Sequence, residues 1–124
     1  MKKIIIFSFT VVSLSSCYKE NFRERHPATF ANILCDTTAV MSYSTNIKPI
    51  LDNSCTSNCH NGAGPGHNLS AWASVKSDAL SGSLYGAVAW LPGYQTMPQG
   101  ATSKIALCDI TKIKKWAAAG APNN

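Results

Sequence analysis

The sequence is poor in charge and in strand signals. Charged residues make up 14% of its 124 positions, against about 25% in an ordinary soluble domain. The length excludes a TIM barrel or a two-domain nucleotide enzyme and leaves room for one compact domain at most. No internal repeat and no low-complexity tract is present, which excludes repeat architectures. The only long apolar run is a stretch of roughly a dozen residues at the start, too short to span a bilayer stably. Disorder is excluded as well, because 45% of the residues are hydrophobic.

Against these shortages stand five cysteines, an odd number for so short a chain. The first follows the apolar run. Lys2 and Lys3 precede Ile4-Ile5-Ile6-Phe7, and the run continues through Phe9, Val11, Val12 and Leu14. A basic start followed by a short apolar stretch reads as a secretory signal. It ends in Leu14-Ser15-Ser16-Cys17, which resembles a bacterial lipobox. That pattern implies cleavage after residue 16, lipid on Cys17, and a tether over 17–34 that holds the rest at the periplasmic or cell-surface side of a membrane. An ordinary secretory signal with an incidental cysteine is the other reading. Without Lys2 and Lys3, nine Lys and Arg face six Asp and Glu, a net of +3. That charge is mild and unclustered, so no nucleic-acid partner is expected. Export places Cys35, Cys55, Cys59 and Cys108 in an oxidising compartment.

Residues 18–45 read as an exposed tether passing into an irregular lead-in, broken by Pro27. Ser44 or Thr45 can cap a first helix with Ile47, Ile50 and Leu51 on one face and Pro49 in its first turn. That helix runs to about Asn53 and delivers Cys55. Gly and Pro make 61–68 a loop. Ser70 can cap a helix from Ala71 to about Leu80, and another covers Leu84 to Trp90. Pro92-Gly93 then opens a loop holding Met97. The last helix is the clearest: Ile110, Ile113, Trp116 and Ala117 recur at helical spacing, with Lys112, Lys114 and Lys115 facing outward. Gly120 and Pro122 end it. The expected class is all-α, short helices and loops.

The sharpest chemical feature is Cys55-Thr56-Ser57-Asn58-Cys59-His60. Two thiols followed at once by His match, with one residue more between the thiols, the C-x-x-C-H site of covalent haem attachment. The two vinyl groups of the porphyrin lie on one side, so both thiols must be close. The next His must turn under the ring to reach iron. Met97 follows His60 by 37 residues, a position suited to a thioether axial ligand. His67 and His26 are weaker candidates for that ligand, and the Pro65 carbonyl is a candidate partner for the other nitrogen of His60. Cys35 and Cys108 remain, and the economical reading joins them in a disulfide closing about seventy residues. A zinc site built from Cys55, Cys59 and His60 with Cys35 or Cys108 is the structural rival.

From Cys35 to Asn124 the chain resembles the cytochrome c domain family of exported and lipid-anchored proteins in Bacteroidetes-type bacteria. The resemblance is carried by Tyr43–Leu51, Cys55–His60, Thr96-Met97-Pro98, Leu107–Ile110, Ile113–Trp116 and Gly120–Asn124. It implies a small fold packed around one haem c, attached at Cys55 and Cys59 and ligated through iron by His60 and Met97. It implies a one-electron carrier with transient redox partner proteins, not an enzyme turning over a substrate. Leu69, Trp72, Trp90 and Trp116 are candidates to wall the haem, and Tyr94 or Trp90 to hydrogen-bond a propionate, with plain core packing the expected role of all but one or two of them. Three further alternatives are a haem-based sensor, an electron-input module of a larger redox complex and a small peroxidase-like enzyme. Met97, and the lack of a distal His/Arg pair, argue against the last.

Overall fold

The computed structural model describes residues 35–57, 59–64 and 66–124. The expected signal peptide, Cys17, the tether with His26, and Pro65 lie outside the described residues. Among the described residues the architecture is all-α, with no strand.

The first helix, α1, is continuous but uneven. It has wide π-type turns over Tyr43–Ile47, an α-helical turn over Lys48–Leu51 and a second π-type stretch over Asp52–Thr56. Its cap is Ser42, two or three residues before the expected Ser44 or Thr45; the Ser42 hydroxyl accepts from the Thr45 N–H. The reason for the earlier start lies 80 residues away. Asn124 Oδ1 accepts from the Tyr43 N–H at 2.9 Å and the Asn124 carbonyl accepts from the Ser44 N–H at 3.0 Å. With the Ser42 N–H donating to Asn46 Oδ1 at 2.8 Å, all four free donors of the helix start have partners. Ile47, Ile50 and Leu51 are buried together on one face. The C-terminal π-type turns carry the helix beyond the expected end near Asn53, so Cys55 sits inside it.

Helix α2 spans Trp72–Leu80 and α3 spans Ser83–Ala89. Ser70 does not cap α2. Asn68 Oδ1 takes the Ser70 N–H at 2.9 Å, and the backbone becomes helical only after extended Ala71. Gly86 faces inward from α3 against the Tyr94 ring, where a Cβ would lie 2.5 Å from ring carbon. Only glycine lets that ring lie flat on the helix.

Helix α4 spans Leu107–Ala118 and buries Ile110, Ile113 and Trp116. It ends in a Schellman motif: Gly120, at φ +88°, donates to the Ala117 carbonyl and Ala121 to the Trp116 carbonyl. Lys115 does not face outward as expected. Its ammonium donates to the Thr37 and Ala39 carbonyls, holding the lead-in against α4. A disulfide between Cys35 and Cys108, with Cα atoms 5.0 Å apart, fastens the same lead-in to the first turn of α4.

The core forms where α1, α2 and α3 meet α4. Trp116 is its fully buried centre. The Trp116 indole lies 5.7 Å from the Tyr43 ring, and its N–H donates to the Pro122 carbonyl. Two of the tryptophans expected at a cofactor wall are thus accounted for by structure. Trp72 likewise donates to the Ala121 carbonyl at 3.2 Å.

Candidate functional site

One cavity of about 700 Å³ opens between the C-terminal end of α1, the 59–69 loop, the α2–α3 pair and the loop after α3. Its size falls within the range of about 300–1,000 Å³ typical of small-molecule and cofactor sites. Cys55, Cys59, His60 and Met97 all line it. Leu69, Leu84, Val88 and Ile105 supply apolar wall, and His67, Asp78, Tyr94 and Gln95 supply polar groups.

The attachment-type segment is shaped by the wide turns of α1. The His60 N–H reaches back five residues to the Cys55 carbonyl at 3.0 Å. The loop this makes has room for the extra residue between the thiols. Such turns insert a residue into a helix and recur at functional positions. Both thiols are free: Cys55 is half-buried and Cys59 exposed. Burial pushes the Cys55 thiol up to about 11, so it is protonated at neutral pH and slow to oxidise.

His60 is oriented from behind. Its Nδ1 donates to the His67 carbonyl at 2.8 Å. A carbonyl can only accept, so Nδ1 carries the hydrogen and, in the neutral ring, Nε2 keeps its lone pair. The expected partner was the Pro65 carbonyl, which lies outside the described residues; the bond that is present goes to His67. The His60 carbonyl in turn accepts from the Leu69 N–H at 2.8 Å. Gly66, at φ +103°, passes so close to the imidazole that a Cβ there would lie 3.1 Å from Cε1.

Met97 is held through its backbone on both sides. Its N–H donates to the Ala87 carbonyl at 3.1 Å, and its carbonyl accepts the Trp90 indole N–H at 2.8 Å. Trp90 itself adopts left-handed backbone, φ 57°, to end α3 and turn the chain toward Met97. Trp90 is therefore neither a cavity wall nor a free donor. Of the four expected wall residues, Leu69 alone lines the cavity; Trp72, Trp90 and Trp116 do not. Tyr94 does line it, packed on Gly86.

Two contributors were missed in the sequence. Asp78 is buried, lines the cavity, and accepts from His67 Nδ1 at 2.7 Å. An acid at the i+3 position of an apolar stripe, between Val75 and Ala79, is the signal that could have found it. The His67 carbonyl has no sequence signal at all, because any residue offers one.

Comparison with family models, with curated proteins and with solved structures finds no match for the chain.

Proposed function

We propose that the chain is a monohaem c-type cytochrome that carries single electrons. Haem would be attached through Cys55 and Cys59, with His60 and Met97 as the residues that hold iron. The observation that carries this reading is one cavity of about 700 Å³ lined by two free thiols, an imidazole with its Nε2 lone pair available, and a thioether. Those four donors have complementary tasks in covalent haem binding. The zinc alternative loses ground because Cys35 and Cys108 are bonded to each other, which removes both as the fourth ligand.

Bound there, a haem supplies an iron that alternates between ferric and ferrous. The chain's own residues do the rest. The His67 carbonyl holds the hydrogen on His60 Nδ1 and so leaves Nε2 as the donor. The Met97 thioether would favour ferrous iron and raise the potential relative to a second imidazole. Leu69, Leu84, Val88 and Ile105 lower the local dielectric and exclude water. Two backbone bonds hold Met97 in place, which would limit rearrangement on electron transfer. Lipid on Cys17 and a tether over 17–34 would keep the carrier at a membrane surface, where redox partners dock through small, transient interfaces.

An optical spectrum of protein matured in a bacterial periplasm tests the reading. The expected result is a sharp reduced alpha band of haem c that stays with the protein through acid-acetone extraction. Cys55→Ala or Cys59→Ala should leave a single thioether, and Met97→Ala should abolish the Met-to-iron charge-transfer band. Extractable or absent haem in the unaltered chain would overturn it.

A further inference from the structure

Asp78 is the one buried polar or charged residue among those described, at 8% exposure. It sits on the core side of α2 with Val75 and Ala79 and also lines the cavity. A carboxylate in such a place is costly unless a strong partner meets it. The partner is His67, whose Nδ1 lies 2.7 Å from Asp78 Oδ1. The His67 side chain is 75% exposed, so packing does little to hold it, and the bond to Asp78 is its anchor. The same residue offers its main-chain carbonyl to His60 Nδ1 at 2.8 Å. A rigid helix is thereby linked to the His60 ring through a single loop residue.

We propose that Asp78, acting through His67, is a positioning residue for His60. It fixes the loop carbonyl that holds the His60 Nδ1 hydrogen, and thereby the direction and donor strength of Nε2. The positioning half stands on the geometry alone, and the donor-strength half rests on the haem reading above. A ring whose N–H is firmly accepted is a more basic ligand. A more basic axial ligand favours ferric iron, so loosening the link moves the potential positive.

The test uses the full chain as purified from a periplasm, with histidine labelled by ¹⁵N. The optical spectrum reports haem separately, so absence of haem counts against the function and leaves the positioning test standing. In His67→Ala, whose site is exposed and tolerant, the His60 Nδ1 hydrogen should exchange with solvent roughly tenfold faster. The midpoint potential of the haem-bearing protein should move positive. His67→Asn, whose amide can donate to Asp78 from nearly the same place, should restore both. Asp78→Asn, which keeps an acceptor and loses the charge, should fall between. Unchanged exchange in His67→Ala, or a change that His67→Asn does not reverse, would overturn the positioning role. A faster exchange with no change in potential would overturn the donor-strength half.

Discussion

Replacing both Cys35 and Cys108 by Ala is expected to lower stability by about 4 kcal/mol. The bond joins residues 73 positions apart. Loop-closure entropy for a ring of that length is about 15 cal/mol/K, or about 4.4 kcal/mol at 25 °C. The full effect should appear because the folded state keeps its other fastenings. Lys115 still holds the Thr37 and Ala39 carbonyls, and Met41 and Tyr43 still anchor the lead-in from their buried positions. The loss therefore falls on the unfolded chain, which gains freedom, and not on native contacts. Against a typical total of about 5–15 kcal/mol it is a large fraction. Urea unfolding followed by far-ultraviolet circular dichroism, with and without the bond, gives the difference from midpoint and slope. The melting temperature should fall by roughly 20 °C or more. A loss below about 1 kcal/mol with an unchanged slope would refute the loop-closure reasoning.

Four further outcomes can be checked. Gly86→Ala places a methyl 2.5 Å from the Tyr94 ring and should cost about 1–3 kcal/mol by overpacking; Tyr94→Ala in the same chain should recover most of it, and simple additivity in that cycle would refute the contact. In chain made without haem, Cys59 should react with iodoacetamide first at pH 7.5, because Cys55 ionises only near pH 11; equal rates would refute its burial. The folded state favours the neutral Cys55 thiol, so that haem-free chain should lose stability as pH rises from about 9, where the unfolded thiol ionises, toward about 11. Asn124→Ala removes the acceptor of the Tyr43 N–H and should cost about 1 kcal/mol in thermal melts.

How far the fold could be read in advance followed from how local each cause is. The stripes Ile47–Ile50–Leu51 and Ile110–Ile113–Trp116 repeat at helical spacing, and the structure buries all six. Gly120 likewise announces the end of α4, since the positive φ it adopts is a property of one residue. The start of α1 was misplaced because its donors are met by Asn124, a contact that leaves no trace in nearby residues. Lys115 was misplaced for the same reason: a charge at an outward-looking position was drawn in by two carbonyls of a distant segment. Which tryptophans serve the core could not be settled in advance because an indole both packs and donates, and each N–H found a main-chain carbonyl.

The candidate site divides along the same line. Cys55, Cys59 and His60 were legible as a group because the proposed attachment would need two thiols and an imidazole almost contiguous in sequence, and the structure lines one cavity with all three. Met97 was legible as a residue but not as a position, since its placement depends on the Ala87 carbonyl and the Trp90 indole acting together. The layer behind His60 was not legible, because its working atom is a main-chain carbonyl supplied by His67 and located by a carboxylate on another helix. The choice of donor groups is therefore written in side-chain identity, while their orientation is written in backbone geometry that only the folded chain expresses. A substitution at Asp78 should consequently alter His60 without touching any residue of the attachment motif. Sequence comparison of the motif alone could not anticipate that effect.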